Sequence, residues 1–242
     1  MPSKRRIIYD LGSNNGDDIP YYLLKAERVI AVEANPILCD LITTRFQSEV
    51  ACGRLVIENC AITKDRSGNI DFYIHNTYDV LSTLAPGADD EESYTKTSVK
   101  AESIASLIRR HGPPYYIKID IEGHDERILD ALANENIMPP YISAESHTIG
   151  VFSLLSERLG YKSFKLVDGE SVNTVYNKAL IHSPILKKRV KYSFPHHSAG
   201  PFGNDIHGEW LSKGALLKVL AMHGLGWRDI HASTNDSPSL NF

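Results

Sequence analysis

With 242 residues, 42% of them hydrophobic and 23% charged, the chain has the make-up of one large α/β domain with its own core. A formal net charge of −4 argues against a nucleic-acid partner held through phosphate contacts. Cys39, Cys52 and Cys60 lack the short spacings of a zinc site or a redox pair, and no apolar segment is long enough for a signal peptide or a membrane span, so a cytoplasmic protein is expected.

Arg6 to Leu11 reads as a short strand, and Gly12-Ser13-Asn14-Asn15-Gly16 as a turn opening onto a helix from Asp17 to Ala26. Two glycines let the backbone pass close to a ligand, and a helix start leaves unpaired N–H groups aimed at it. Arg28 to Glu33 is an apolar strand closed by a carboxylate. Glu33 lies 21 residues after Gly12, near the ~20-residue spacing at which a doubly wound fold sets an acid on a ribose diol. Dinucleotide and S-adenosylmethionine binders share this order. A dinucleotide site prefers glycine where Asn14 stands, to clear room for a pyrophosphate, and Asp10 disfavours a polyanion but suits the ammonium of a methionine moiety. The chemistry favours S-adenosylmethionine.

Ile37 to Val50 reads as a helix, Arg54 to Ala61 as a strand, and Gly68 to His75 as a strand after a turn. Asn76 to Thr97 is polar, with Pro86-Gly87 and the acidic run Asp89 to Glu92, and is expected to be a mobile connection. A helix is predicted over Ala101 to His111. Tyr115 to Glu122 then reads as a buried strand in which Lys118, Asp120 and Glu122 share one face. Charges on an otherwise apolar strand are costly unless paired or used, and the carboxyl edge of an α/β sheet is where such folds bind ligands. After Gly123 and His124 come a helix from Asp125 to Asn134, a strand over Tyr141 to Glu145, a helix over Val151 to Leu159 and a strand over Tyr161 to Val167. Near Lys187 the alternation stops. Residues 1–186 are therefore expected to form a doubly wound, Rossmann-like core with a mostly parallel sheet, and 187–242 an extension packing on it, as a substrate lid or a structural tail.

Asp10-Leu11-Gly12-Ser13-Asn14-Asn15-Gly16, Ala31-Val32-Glu33-Ala34-Asn35-Pro36 and Ile117-Lys118-Ile119-Asp120-Ile121-Glu122-Gly123-His124 resemble the motifs of the FkbM-type methyltransferase family. In that family the first reads Asp-Val-Gly-Ala-Asn-x-Gly and the third Lys-x-Asp-Val-Glu-Gly. Gly200-Pro201-Phe202-Gly203 and Asp205 to Trp210 look like a tail seen in some members. The resemblance covers residues 7 to 150 and implies a class I methyltransferase fold, S-adenosylmethionine as methyl donor, and a hydroxyl acceptor on a sugar, polyketide or other small metabolite.

On this reading Asp10, Gly12, Gly16 and Glu33 floor the cofactor site, Ser13 and Asn14 bond its carboxylate end, Ala34 lines the adenine, and Asn59 either bonds adenine or caps local backbone. Asp120, Glu122 and His124 are the candidates to remove the acceptor's proton. Asp120, Glu145 and His147 are the candidate ligands for Mg²⁺ or Mn²⁺, although Ser146 stands where metal-dependent O-methyltransferases suggest a second acid. His196, His197 and His207 belong to a substrate-facing or a solvated loop, and Trp210 to the lid's apolar wall or to the core. The expected partner is a small-molecule or glycan acceptor, with no nucleic acid and no membrane. An NAD-dependent oxidoreductase and a non-catalytic partner-binding domain on the same fold are the alternatives.

Overall fold

The computed structural model describes residues 5–65, 67–77, 82–84 and 91–237. Its first half runs β1 (Ile7–Leu11), α1 (Ile19–Lys25), β2 (Arg28–Glu33), α2 (Pro36–Arg45), α3 (Gln47–Ala51), β3 (Leu55–Asn59), β4 (Ala61–Thr63), β5 (Gly68–His75), β6 (Tyr94–Ser103) and α4 (Ile104–His111). The second half runs β7 (Tyr116–Ile119), α5 (Asp125–Asn134), β8 (Tyr141–Glu145), α6 (Ile149–Ser153), β9 (Ser163–Asp168), α7 (Val172–Val175), β10 (Ala179–Ser183), β11 (Lys188–Tyr192), α8 (Lys213–His223) and β12 (Arg228–Ser233).

Seven strands make the central sheet in the order β3-β2-β1-β7-β8-β12-β9. β1 pairs in parallel with β2 and β7, β2 with β3, and β7 with β8; β12 alone runs antiparallel, between β8 and β9. All five residues of β1 and all four of β7 are buried, as strands covered on both faces must be. Period-2 alternation sorts their side chains. Tyr9, Leu11, Ile117 and Ile119 join Leu107 of α4 and Ile128 of α5 in one core, while Ile8 and Tyr116 meet Tyr22 of α1 and Ile42 of α2 on the opposite face. This is a doubly wound α/β fold, and its β1–β7 junction sets the two glycine-bearing turns side by side.

The element boundaries depart from the sequence expectations where tertiary contacts intervene. The helix expected over Ile37 to Val50 breaks at Phe46, and the strand expected over Arg54 to Ala61 divides at Cys60 between the central sheet and a three-stranded sheet of β4, β6 and β5. Residues 94–97 of the expected mobile connection and 101–103 of the expected helix belong to β6, which pairs with β5 over 94–101 and with β4 over 101–103. Ser103 then caps α4 by accepting from the Ser106 N–H. Positions 78–81 and 85–90 of the same connection lie outside the described residues. The helix after β8 continues through a π turn at Leu154–Arg158, and the strand read as Tyr115 to Glu122 ends at Ile119. Among the described residues no helix is long and apolar enough to cross a membrane.

The largest difference concerns the C-terminal extension, residues 187–242. Far from only packing on a finished core, it supplies β12 to the interior of the central sheet, with five of its six residues buried and Ile230 fully so. Trp210 lies in the core against Tyr141, 6% exposed, so it walls no lid. A chain ending before Lys187 would leave β8 and β9 as unpaired edges. Truncation there is expected to give insoluble or unfolded protein by circular dichroism and gel filtration; a soluble, cooperatively melting product would contradict this placement.

Candidate functional site

The turn after β1 is closed upon itself. The amides of Gly12 and Ser13 both donate to the Val32 carbonyl at 3.0 Å, and the Gly16 amide donates to Ser13 O. The Asn14 amide donates to Glu33 Oε2 at 2.9 Å, Asn15 N to Asn14 Oδ1, and Asp17 N to Asn15 Oδ1. The expectation of free N–H groups aimed at a ligand therefore fails for most of this turn, and with it any anion cradle of the dinucleotide kind. Gly12 has φ +79°, and a Cβ there would fall on the Asp120 carbonyl oxygen, so this glycine serves the backbone packing of two turns instead of clearance for a ligand. Gly16 (φ +81°) packs its bare Cα against Ile19, Ile42 and Phe46.

A cleft opens above these turns along the carboxyl edge of the sheet. Gly12, Ser13, Asn14, Glu33 and Ala34 line it, together with Asp17 and Asp18. Where β3 gives way to β4 its wall is apolar, from Cys60, Ala61, Ile62, Phe72 and Leu84; Phe72 comes from β5, whose motif-free sequence gave no sign of a site role. Glu33 accepts from Asn14 N and from Asn35 N at 2.8 Å, one bond on each carboxylate oxygen, and is otherwise buried. Burial raises its pKa to about 7. Each oxygen retains acceptor capacity toward the cleft. Two expected cofactor residues stand elsewhere. Asn59 uses its amide nitrogen on the Glu33 and Ala34 carbonyls, the capping alternative, and Asp10 lies beneath the turn, 1% exposed.

Asp10 is tied to the site through Lys118. The Lys118 ammonium, itself 4% exposed, donates to Gly12 O at 2.9 Å and lies 3.1 Å from Asp120 Oδ2 and 3.7 Å from Asp10 Oδ1. Neither Asp10 carboxylate oxygen has a hydrogen-bond partner among the described residues. Burial opposes the lysine's charge, and Asp120, Asp10 and Asp18 outweigh it, so its pKa is raised well above the ordinary value. Beyond Ile119 the chain turns. Glu122 adopts φ +43° and Gly123 +79°, which brings Asp120, Ile121 and Glu122 into the cleft wall. A left-handed glutamate is strained, and such strain collects at functional sites. Burial, then Asp120 and Glu145, raises Glu122 to about 7.

The other three expected members of the chemistry, His124, Glu145 and His147, lie apart from this cleft. His124 lines a separate groove with Lys64, Asp71, Tyr73 and Arg127, where burial and Arg127 lower its pKa. His147 bonds Glu145 at 2.8 Å, and burial, Asp120 and Asp125 raise Glu145 to about 8. Among the described residues no group of three His, Cys, Asp or Glu side chains is placed to hold a metal ion. The set Asp120, Glu145 and His147 does not fit a divalent cation, because Asp120 already faces the Lys118 ammonium and Glu145 favours its proton.

The C-terminal segment contributes what the sequence left open. Ser198 Oγ donates to Asp18 Oδ1, and the Ala199 amide donates to Asp18 Oδ2 at 3.1 Å, which fastens this segment beside α1. His197, next to those anchors, lines the cleft. Its ring stacks on Trp227, with centroids 6.0 Å apart and planes 22° from parallel.

A doubly wound sheet with a cleft at its carboxyl edge, apolar at one end and acidic at the other, defines a Rossmann-like fold. The methyltransferase FkbM domain family matches residues 10–155, and the chain belongs to that family. Among solved structures it is similar to methyltransferase FkbM from Methylobacillus flagellatus KT, with 16% identity and a TM-score of 0.45, over 68% of this chain and 40% of that one. It is also similar to the C-terminal domain of precorrin-6Y C5,15-methyltransferase from Rhodobacter capsulatus, with 11% identity and a TM-score of 0.43, over 96% of this chain and 81% of that one. The chain thus spans 40% of the length of the first of these proteins. No curated protein matches it.

The acids have a measurable consequence. Burial first of all raises Asp10, Glu33 and Glu122 to about 7, Asp125 to about 6 and Glu145 to about 8, whereas carboxyls of an unfolded chain titrate near ~4. Between about pH 4.5 and 8 the folded state therefore holds more protons than the unfolded one, so stability falls as pH rises. Glu102, held near 2 despite burial by Arg110 and Lys100, acts only below that window. The Tm of the ligand-free protein is expected to be highest near pH ~5 and several degrees lower near pH ~8; a flat or rising Tm in scanning calorimetry would contradict these environments.

Proposed function

We propose that the protein transfers the methyl group of S-adenosylmethionine to a hydroxyl of a sugar, polyketide or other small metabolite, free or part of a glycan. The observation that carries this reading is a single cleft with Glu33 on one side of the β1 turn and Asp120 and Glu122 on the other. Glu33 would hold the ribose hydroxyls, and Ala34, Ala61, Ile62 and Phe72 the adenine. When bound, S-adenosylmethionine supplies a methyl group already activated by a sulfonium. The residues must then align the acceptor and take its proton. Glu122, with a pKa near neutrality and the Lys118–Asp120 contact at 3.1 Å beside it, is the group to accept that proton.

Charge supports this donor over a dinucleotide. Asp17, Asp18, Glu33, Asp120 and Glu122 face the cleft against Lys118, a setting that attracts a sulfonium and repels a pyrophosphate. A cytoplasmic location is part of the same reading, with Cys39, Cys52 and Cys60 all free thiols.

Two substitutions test it. Glu33→Ala is expected to weaken S-adenosylhomocysteine binding about ten- to a hundredfold, the range for losing bonds to a charged group, in calorimetric titrations in which NAD gives no heat. Unchanged affinity would remove Glu33 from the ribose. Glu122→Gln is expected to keep that binding and lose ~10² to 10⁴-fold in labelled-methyl transfer to a panel of hydroxyl acceptors; wild-type turnover by this variant would move the proton acceptor elsewhere.

A further inference from the structure

Lys187-Lys188-Arg189-Val190-Lys191 is the densest basic run of the chain, and the cleft makes no use of it. From Ser171 through Asn204 there is no aspartate or glutamate, although the whole chain carries a net charge of −4. The run lies on the hairpin of β10 and β11, whose strands pair Leu180 with Lys191, Ile181 with Val190 and His182 with Arg189. Period-2 alternation sends Ile181, Val190 and Tyr192 into the core that also holds Tyr21 and Tyr22 of α1. It leaves Leu180, His182, Arg189 and Lys191 exposed on the opposite face, and the connection between the strands adds Leu186, Lys187 and Lys188, all exposed. Among the described residues, no side chain forms an ion pair or hydrogen bond with the side chains of Lys187, Lys188, Arg189 or Lys191. Asp205, the next acid along the chain, is already held by Lys25 at 2.7 Å and by the Tyr21 hydroxyl at 2.8 Å.

We propose that this hairpin docks the protein on an anionic membrane surface, with its cations against lipid headgroups and Leu180 and Leu186 seated among them. Charge gives the sign of the partner. Unpaired cations crowded on one element repel one another and attract a surface of dense negative charge. The leucines give its nature. Lysines on an open strand edge also discourage pairing with other strands, yet exposed leucines work against that purpose, and Leu180 is 57% and Leu186 48% exposed. Cations beside exposed apolar side chains suit an element that lies in the headgroup layer, its leucines reaching the acyl boundary while ammonium and guanidinium groups stay at the phosphates. A nucleic acid would draw the cations and leave the leucines in water. Such a contact needs no spanning helix, and it replaces the expectation of no membrane partner. It is independent of the methyl-donor reading, since no hairpin residue lines the cleft.

Full-length protein is sedimented with vesicles of phosphatidylcholine alone and with vesicles of phosphatidylcholine and phosphatidylserine in equal parts, at low and high salt. The wild type is expected to partition onto the anionic vesicles only, and to leave them as salt rises, because exposed charges are screened. The triple variant Lys187→Gln, Arg189→Gln, Lys191→Gln is expected to lose about a hundredfold in partition coefficient, at roughly fivefold for each cation near such a surface. Leu180→Ser with Leu186→Ser is expected to lose about tenfold. Lys218→Gln, exposed on α8, is the control; every substituted side chain is exposed, and equal melting temperatures check that the fold is kept. A wild type that stays in solution with both vesicles, or a triple variant that binds like the wild type, would overturn the proposal. A leucine variant that binds like the wild type would leave a patch that acts by charge alone, fit for a soluble polyanion such as a nucleic acid or an acidic protein, and would overturn the membrane assignment.

Discussion

One buried ammonium organises this molecule. Lys118 sits in the middle of the sheet's central strand pair, 4% exposed, where a lone cation would be prohibitively costly. It is tolerated because Asp120, Asp10 and the Gly12 carbonyl surround it. Each of those groups belongs to a different part of the site: the carboxyl end of β1, the turn that lines the cleft, and the turn that carries Glu122. The lysine therefore fixes their mutual positions. Removing one partner of such a buried pair leaves an uncompensated charge, which typically costs ~3–5 kcal/mol. The site's geometry and the fold's stability are in this sense one property.

Around that cation the carboxylates outnumber their partners. Glu122, Glu145 and Asp229 all favour their protons, chiefly because burial penalises ionisation and then because Asp120 lies near. Burial and mutual repulsion thus keep Asp120, which faces Lys118, apart in character from the acids around it.

Much of this was legible in the sequence. The alternation of Ile117 and Ile119 with charged residues, the 21-residue interval from Gly12 to Glu33 and the acids after β7 carry local periodicity and turn chemistry, and they fell where expected. What was not legible depends on long-range contact. Gly12 looks like a ligand-clearance glycine until Asp120 is seen to lie against it. His124 follows the motif directly, but the left-handed turn at Glu122 and Gly123 sends it to another groove. His197 had no motif around it, and only the grip of its neighbours on Asp18 brings it to the cleft. The antiparallel β12 was missed because a polar and glycine-containing stretch separates it from the alternating core, so nothing local marks Arg228–Ser233 as an interior strand.

The position of β12 also orders events during synthesis. Chains emerge from the ribosome N-terminus first, and domains fold as their parts become available. Here β8 and β9 are made long before the strand that must lie between them, hydrogen-bonding to both in antiparallel register. The nascent chain consequently waits with a slot in its sheet, flanked by two apolar strands, until residue 233 is free of the exit tunnel. The slot cannot be closed early by bringing β8 and β9 together without excluding β12, so a strand translated well after both of its neighbours decides whether the sheet becomes whole.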